Sequence, residues 1–549
     1  MKKMINKLFV ATIFSIMLSG CGGSGEQELN LEKTIDSETG REMIGNMYVE
    51  GLPIVKEPAT FTLFAAKSGN DKSVSQDEKH ILTILEDNTN VRFELEEVAS
   101  NANEKINLLL AAGSDLPDII YFWPTESTVI NNTAHLFEFT DEILREYAPN
   151  LVAQLEANVP NGLDMLRKAD GKIYSLPVGP YAEYANSAQS IPLIRKDWLE
   201  ALDLEMPTTT DELYNVLKAF KTQDPNGNGK ADEIPLSFCQ ENAQHKHFNF
   251  AGPWGIAGRN GHDWENYFQV RDGVVVPNLD TQNFKDYLAY MHKLASEGLL
   301  DVEGFSLTYS QYKARINEGA VGMIVTWMET DDIWAPVPVL TTPGYEGQEA
   351  KIGQKGYRTT NLNGFMITKS CEDPLAALRA WDYLHSTPNL KRIARDGNEG
   401  ILWVENPDGS ATVREIAQEE LPANIVSKTE LNYTIALRGM GPIIFQHEIA
   451  KPDLNAEDLS MDALRYKYVP MYEPYFNTEF LPQRPMPSNK LTELSLLQTE
   501  VEAYMNGFIA DSIINGLSDE QWEEYLKQLE NVQYYEWIQF QQDFLDGKF

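Results

Sequence analysis

Between residues 60 and 122 the hydrophobic period of the chain switches back and forth between two and 3.6, and this alternation restricts the fold more than any other feature. Thr60-Phe61-Thr62-Leu63-Phe64 alternates as a strand does, and Ile81, Leu82, Ile84 and Leu85 follow with helical spacing. Val91-Arg92-Phe93-Glu94-Leu95 alternates again, and Ile106, Leu109 and Leu110 then share a helical stripe that stops at Gly113, a residue suited to a left-handed cap. Leu116-Pro117-Asp118 turns the chain into Ile119-Ile120-Tyr121-Phe122, a short buried strand. Strand–helix–strand–helix–strand order predicts parallel pairing with helices on both faces of the sheet. Ligands of such open sheets gather beyond the carboxyl ends of the strands.

Further blocks repeat this grammar. Thr209 with Glu212 forms a capping box, and Leu213, Val216, Leu217 and Phe220 continue it at helical intervals. Val321-Gly322-Met323-Ile324-Val325 and Gly364-Phe365-Met366-Ile367 read as strands, and residues 490–549 read as mostly helical, with Trp522, Tyr525, Leu526 and Leu529 on one face. No repeat of fixed period is present. The class is α/β with a helical carboxyl-terminal region.

The amino terminus is an address. Lys2, Lys3 and Lys7 precede an apolar run from Leu8 to Leu18, too short to span a bilayer, and small residues lead to Cys21. Leu18-Ser19-Gly20-Cys21 resembles the bacterial lipobox, which implies a lipidated Cys21 and a chain anchored to the outer face of a bacterial cell membrane. The polar stretch from Gly22 to about Pro58 reads as a flexible tether.

Charge narrows the partners. The 45 basic residues face 82 acidic ones, a net charge of −37, so most of the surface repels nucleic acid and anionic lipid. Three cysteines exclude a disulfide scaffold and a multi-cysteine metal site; Cys239 and Cys371 either pair or remain buried thiols.

Asp224-Pro225-Asn226-Gly227-Asn228-Gly229-Lys230-Ala231-Asp232-Glu233 places oxygen side chains at alternate positions around Gly229, as in the first part of a calcium loop. Lys230 would offer its carbonyl. Pro235 stands where a bidentate Glu closes an EF-hand, so Asp232 and Glu233 would have to complete the shell. The expected cofactor is structural Ca²⁺; an Asn- and Gly-rich turn is the alternative.

Five segments in order resemble one family: Lys105–Gly113 running into Leu116-Pro117-Asp118-Ile119; Asp170-Gly171-Lys172-Ile173-Tyr174 before Pro177; Ile194-Arg195-Lys196-Asp197-Trp198-Leu199; the calcium-type loop; and Gly319-Ala320-Val321-Gly322-Met323. With the lipobox they resemble the family 1 extracellular solute-binding lipoproteins of bacterial ABC transporters, the LipO-like carbohydrate and oligosaccharide group. The resemblance implies a two-lobed, type II periplasmic-binding-protein-like fold whose hinge closes on a sugar. It also implies a monomer that delivers its ligand to permease subunits, and a calcium loop matching Asp224, Asn226, Asn228, Lys230, Asp232 and Glu233. By the same analogy, a signal peptide of residues 1–20 and a tether of 21–57 precede the lobes. Residues 58–180 plus about 325–358 would form the N-terminal lobe, and 181–324 plus about 359–549 the C-terminal lobe with its helical extension.

Aromatic faces stack on sugar C–H surfaces while polar side chains satisfy the hydroxyls. Loop and strand-end positions therefore nominate Tyr121, Trp123, Trp254, Trp327 and Trp403, with Lys67 and Glu399 as polar partners. Packing is the commoner fate of a tryptophan, and Trp198, Trp381, Trp522 and Trp537 are assigned to the core. No catalytic residue is nominated: His447-Glu448 lacks a second zinc ligand at Lys451, and the phosphate-binding and nucleophile-elbow motifs are missing. A secreted glycoside hydrolase and a sensing or adhesive lipoprotein remain as alternatives.

Overall fold

The computed structural model describes residues 31–549 apart from 160, 182–189, 243–244, 257–265, 327–332, 346–360, 456–458, 460 and 483. The alternation at 60–122 folds as expected. Ala59–Ala66 lies between Val91–Val98 and Ile119–Tyr121, parallel to both, with Leu63 opposite Leu95 and Ile119. Helix His80–Thr89 buries Ile81, Leu82 and Leu85 with Phe61 and Leu63 on one face of the sheet. Helix Ala102–Ala112 buries Ile106 and Leu110 with Phe64 and Ile120 on the other. Gly113 caps the second helix at φ +65°, in the left-handed region where glycine has no Cβ penalty.

A second sheet is centred on Ile191–Arg195, flanked antiparallel by Met323–Thr326 and Trp334–Pro336. Helix Thr210–Thr222 carries the expected capping box, in which Thr209 Oγ1 accepts from the Glu212 N–H at 3.1 Å. The chain is thus a two-lobed α/β protein.

Strand pairing divides the two lobes differently from the expected boundaries. Asn361–Ile367 enters the first sheet, antiparallel to Ile119–Tyr121 and to Leu176–Val178. Trp381 then stacks on Phe365 at 4.4 Å, and Leu375, Leu378, Leu384, Ile393, Ile443 and Phe445 join the first core. Val325 and Thr326, expected at the start of the return to the first lobe, pair in the second sheet instead, as Met323 and Ile324 do. The physical reason is that an apolar run states that a strand is buried, not which sheet buries it. The helical region from Ser488 packs on the second core. There Phe508 and Tyr525 stack at 3.9 Å, and the Tyr534 hydroxyl donates to the Tyr267 carbonyl at 2.6 Å.

The expected tether is folded wherever it is described. Lys33–Ile35, Glu42–Ile44 and Met47–Tyr48 form a small antiparallel sheet, and Met47 and Val55 have no accessible surface. Asp36 is its hub, taking Lys56 Nζ at 2.8 Å and the hydroxyls of Tyr48 at 2.9 Å and Thr39 at 2.6 Å. Arg379 clamps the Tyr48 and Gly51 carbonyls from the body of the lobe. Cys21 and the leader lie outside the described residues. Cys239 and Cys371 are both buried free thiols, so the two do not pair. No described helix is long and apolar enough to cross a membrane.

Candidate ligand-binding cleft

At the carboxyl ends of the first sheet stand Lys67 and Trp123. Trp123 is 53% exposed, the only tryptophan among the described residues with an open ring. Its seat is built from distant parts of the chain. The Tyr121 hydroxyl donates to the Met440 carbonyl, fixing the 438–441 turn, and a methyl group on Gly439 would meet the Trp123 ring at 3.4 Å. Gly179 lies under the same turn at φ +81°, donates to the Gly441 carbonyl at 2.9 Å, and has the Gly439 carbonyl oxygen 2.4 Å from where a Cβ would stand. Only glycine fits that close, left-handed position. Tyr121 itself is buried, its ring edge-on to Trp381 at 5.7 Å, so it props the platform rather than facing a ligand.

Lys67 is paired. Its ammonium donates to Glu97 Oε2 at 2.7 Å and to the Ser73 carbonyl at 3.0 Å. Burial works to lower the lysine's pKa, but Glu97 outweighs it and the net shift is upward. Just beyond Trp123, a polar network that sequence reading missed joins Lys168, Glu126, Asn363 and Ser175. Lys168 Nζ lies 2.9 Å from Glu126 Oε2 and 2.6 Å from Asn363 Oδ1, and the Asn363 amide also donates to Glu126 at 3.0 Å. Ser175 and Asn363 are 188 residues apart, so no local pattern announces them. From the second lobe, the first turn of helix Ser488–Asn515 reaches this region, where Ser488 Oγ donates to Asn131 Oδ1 at 2.8 Å.

Two nominated tryptophans do not face a cleft in this conformation. Trp254 is buried against Tyr287 and Tyr290, with ring centroids at 5.5 and 5.0 Å, and borders an apolar cavity of only about 40 Å³. Trp403 has no accessible surface, and its Nε1 donates to the Gly397 carbonyl at 2.8 Å. Both sit in glycine-rich stretches that read as loops, but the turns fold the rings inward. Glu399 is exposed and accepts from the Glu405 N–H at 3.0 Å, bracing the turn before Trp403. Trp327 lies outside the described residues.

The 224–233 loop follows helix Thr210–Thr222. Asp224 Oδ1 and Oδ2 accept from the N–H groups of Asn228 at 3.0 Å and Gly229 at 2.9 Å, and Asn228 Oδ1 accepts from Lys230 N–H at 2.7 Å. Gly227 and Gly229 adopt φ +68° and +74°, the sharp turns such a loop needs. The Asn228 amide donates to Asp232 at 3.0 Å, which holds the Asp232 carboxyl below its ordinary pKa. Glu233 is 1% exposed, and its Oε1 has no hydrogen-bond partner. A buried carboxylate oxygen left unpaired is costly and calls for a partner. Among the described residues no three His, Cys, Asp or Glu side chains converge. The loop's donors would therefore be carboxylates together with amide and main-chain oxygens, the hard set that suits Ca²⁺.

No family model matches the chain. It is 28% identical over 492 residues, 85% of this chain and 87% of the relative, to the fructooligosaccharide ABC transporter substrate-binding protein FusA of Streptococcus pneumoniae. Two Bacillus subtilis proteins align over less than half of the chain: lipoprotein LipO at 27% identity, covering 48% of each, and the polygalacturonan/rhamnogalacturonan-binding protein YtcQ at 30%, covering 44% and 45%. The structure of FusA in complex with kestose superposes with a TM-score of 0.73 at 26% identity, covering 89% of this chain and 99% of that one. A second FusA structure is described as an EF-hand mutant in complex with fructo-nystose.

Proposed function

We propose that this chain, which has the family 1 extracellular solute-binding fold and whose homologues are ABC-transporter substrate-binding proteins for oligosaccharides, captures an oligosaccharide and hands it unaltered to a permease. The lobes would be residues 31–181 with 361–450, and 191–340 with 461–549. A ligand that touches both shifts the open–closed balance by its differential affinity for the closed form. The observation that carries the proposal is the open Trp123 ring at the carboxyl ends of the first sheet, propped from beneath by the 438–441 turn. Cys21 would hold the chain by lipid to the outer face of the cell membrane.

The test is calorimetry against kestose, longer fructooligosaccharides, milk oligosaccharides and galacturonate oligomers. Trp123→Ala is expected to weaken the bound sugar by roughly 1–3 kcal/mol, as loss of an aromatic hot spot does. Unchanged affinity would remove Trp123 from the site. Recovery of the sugar with its linkages cut would favour the hydrolase reading instead.

Calcium would be held by Asp224, Asn226, Asn228, the Lys230 carbonyl, Asp232 and Glu233, and would pin helix Thr210–Thr222 to the segment at Ile234 that bridges to Val321. Its role there is structural. At a hundredfold excess over Kd the ion adds about 2.7 kcal/mol. Millimolar Ca²⁺ is therefore expected to raise the Tm of the wild type and leave that of Asp224→Ala unmoved. Equal melting of wild type with calcium and with chelator would refute the site.

A further inference from the structure

The second lobe holds a larger cavity than the one beside Trp254, of about 300 Å³, and its lining mixes polar and apolar side chains. It lies between helix Ser488–Asn515, which contributes Glu502, Asn506, Ile509 and Ala510, and the short helical turns and connections that contribute Gln240, Lys246, His247 and Phe305. Its position follows from strand pairing. Thr326 pairs with Ile191, where the chain enters this lobe from the first, and the Ser237 N–H donates to the Met323 carbonyl in the same sheet. Gln240, three residues further on, therefore lies toward the Thr326–Ile191 end of that sheet, the end nearest the first lobe along the chain.

The walls are well fixed. Phe305 is held edge-on to Phe238 at 4.8 Å and tilted against the His247 ring at 5.4 Å. The Tyr287 hydroxyl lies 2.9 Å from the His247 carbonyl and 2.9 Å from Nδ1. A hydroxyl has one proton; spent on the carbonyl, it leaves Nδ1–H to donate back, and both contacts are satisfied. Glu502 and Asn506 are one helical turn apart on one face.

The chemistry of this lining selects a ligand class. Gln240 and Asn506 each donate and accept, Lys246 donates, Glu502 accepts, and Phe305 offers an apolar face. A hydroxyl-bearing ring needs that mixture. A uronate or phosphate would need a surplus of positive charge. Here one lysine, Lys246, and one glutamate, Glu502, line the cavity, so the lining carries no such surplus. In the first lobe, Lys67 is paired with Glu97, Lys168 with Glu126 and Arg438 with Asp396. The whole chain, at −37, adds repulsion to any polyanion.

We propose that this cavity is a subsite for a neutral sugar unit of the bound oligosaccharide, supplied in part by the carboxyl-terminal helix; this rests on the oligosaccharide-capture reading above. Small-molecule pockets run from about 300 to 1,000 Å³, so the cavity suits one end of a chain rather than a whole polymer.

The test is calorimetry with kestose, longer fructooligosaccharides, neutral milk oligosaccharides and trigalacturonate as probes. Asn506→Phe fills the mouth and Glu502→Ala removes an acceptor; neither position is fully buried, and melting curves verify folding. Both variants are expected to lose at least tenfold in affinity for the neutral sugar that the wild type binds, while Glu500→Ala, on an exposed part of the same helix, keeps wild-type affinity. Unchanged affinity in both pocket variants overturns the subsite and leaves oligosaccharide capture standing. Wild-type binding of trigalacturonate in preference to every neutral probe overturns the neutral class. No binding of any saccharide by the wild type overturns the capture reading and the subsite with it.

Discussion

Glu448→Ala is expected to destabilise the first lobe by about 3–5 kcal/mol, the cost of leaving one partner of a buried ion pair without the other. Lys391 has no accessible side-chain surface, and Glu448 has 8%. Its ammonium contacts Glu448 Oε1 and donates to Gln154 Oε1 at 2.7 Å, while Glu448 Oε2 accepts from the Phe445 N–H at 3.0 Å. Burial pushes the Lys391 pKa down in spite of the carboxylate. Removing Glu448 strands both a cation and a main-chain donor. Urea unfolding followed by tryptophan fluorescence reads the loss, and a change under 1 kcal/mol would show that the pair is unimportant. The double variant Lys391→Met/Glu448→Leu is expected to regain most of the stability, since similar-sized apolar residues need no counter-charge. The pair joins helix Pro388–Asp396 to strand Ile444–Phe445, which runs parallel to Pro180–Tyr181 beside Gly179. The single variant should therefore also loosen the seat of Trp123 and weaken sugar binding.

How much of this was legible depends on the range over which each structure is built. The helices at 80–89, 102–112 and 210–222 and their caps are local events, written in i, i+3, i+4 spacing and in Gly113, Thr209 and Glu212. The lobe to which a later strand belongs is not local. Phe365 settles its sheet through pairing with Tyr121 and stacking on Trp381, contacts no window of sequence contains. The amino-terminal segment was misread as tether for a related reason. Asp36 gathers Thr39, Tyr48 and Lys56 around one carboxylate, and irregular spacing hides the apolar residues it organises. Trp123, Trp254 and Trp403 carried similar loop signatures. What separates them is whether the neighbouring turn folds over the ring, as at Trp403, or beneath it, as the 438–441 turn does at Trp123. The calcium-type loop was legible because its donors alternate within ten residues, whereas the unpartnered Oε1 of Glu233 became visible only with its burial.

Acidification is expected to remove about 5 kcal/mol through two buried histidines between pH 7 and pH 4.5. Burial lowers the pKa of His385 to about 3 and that of His245 to about 4, from an ordinary 6.5. Each is held as a neutral ring. His385 Nδ1 donates to the Trp381 carbonyl at 3.0 Å while Nε2 accepts from the Ile443 N–H at 3.3 Å, so a proton on Nε2 would break an existing bond. His245 Nδ1 donates to the Val325 carbonyl at 2.7 Å. The sign follows from linkage: the unfolded chain takes up protons below pH 6.5 that the folded chain refuses, so stability is intact above 6.5 and falls with pH. Two pH units at about 1.36 kcal/mol each give roughly 2.7 kcal/mol per histidine at pH 4.5. Asp382 works in the opposite direction. Burial raises its carboxyl to about 6, against three donors from Asn150 and Leu151, so the folded state binds its proton more readily and recovers about 2 kcal/mol at pH 4.5. The wild type should lose about 3 kcal/mol net, read as a falling urea midpoint. His385→Gln should shrink its own pH-dependent loss by about 2.7 kcal/mol, whatever it costs at pH 7. A variant whose stability falls with pH as steeply as that of the wild type would show that His385 is protonated within the fold, and that the closure of helix Pro374–Tyr383 against Ile443 does not depend on a neutral ring.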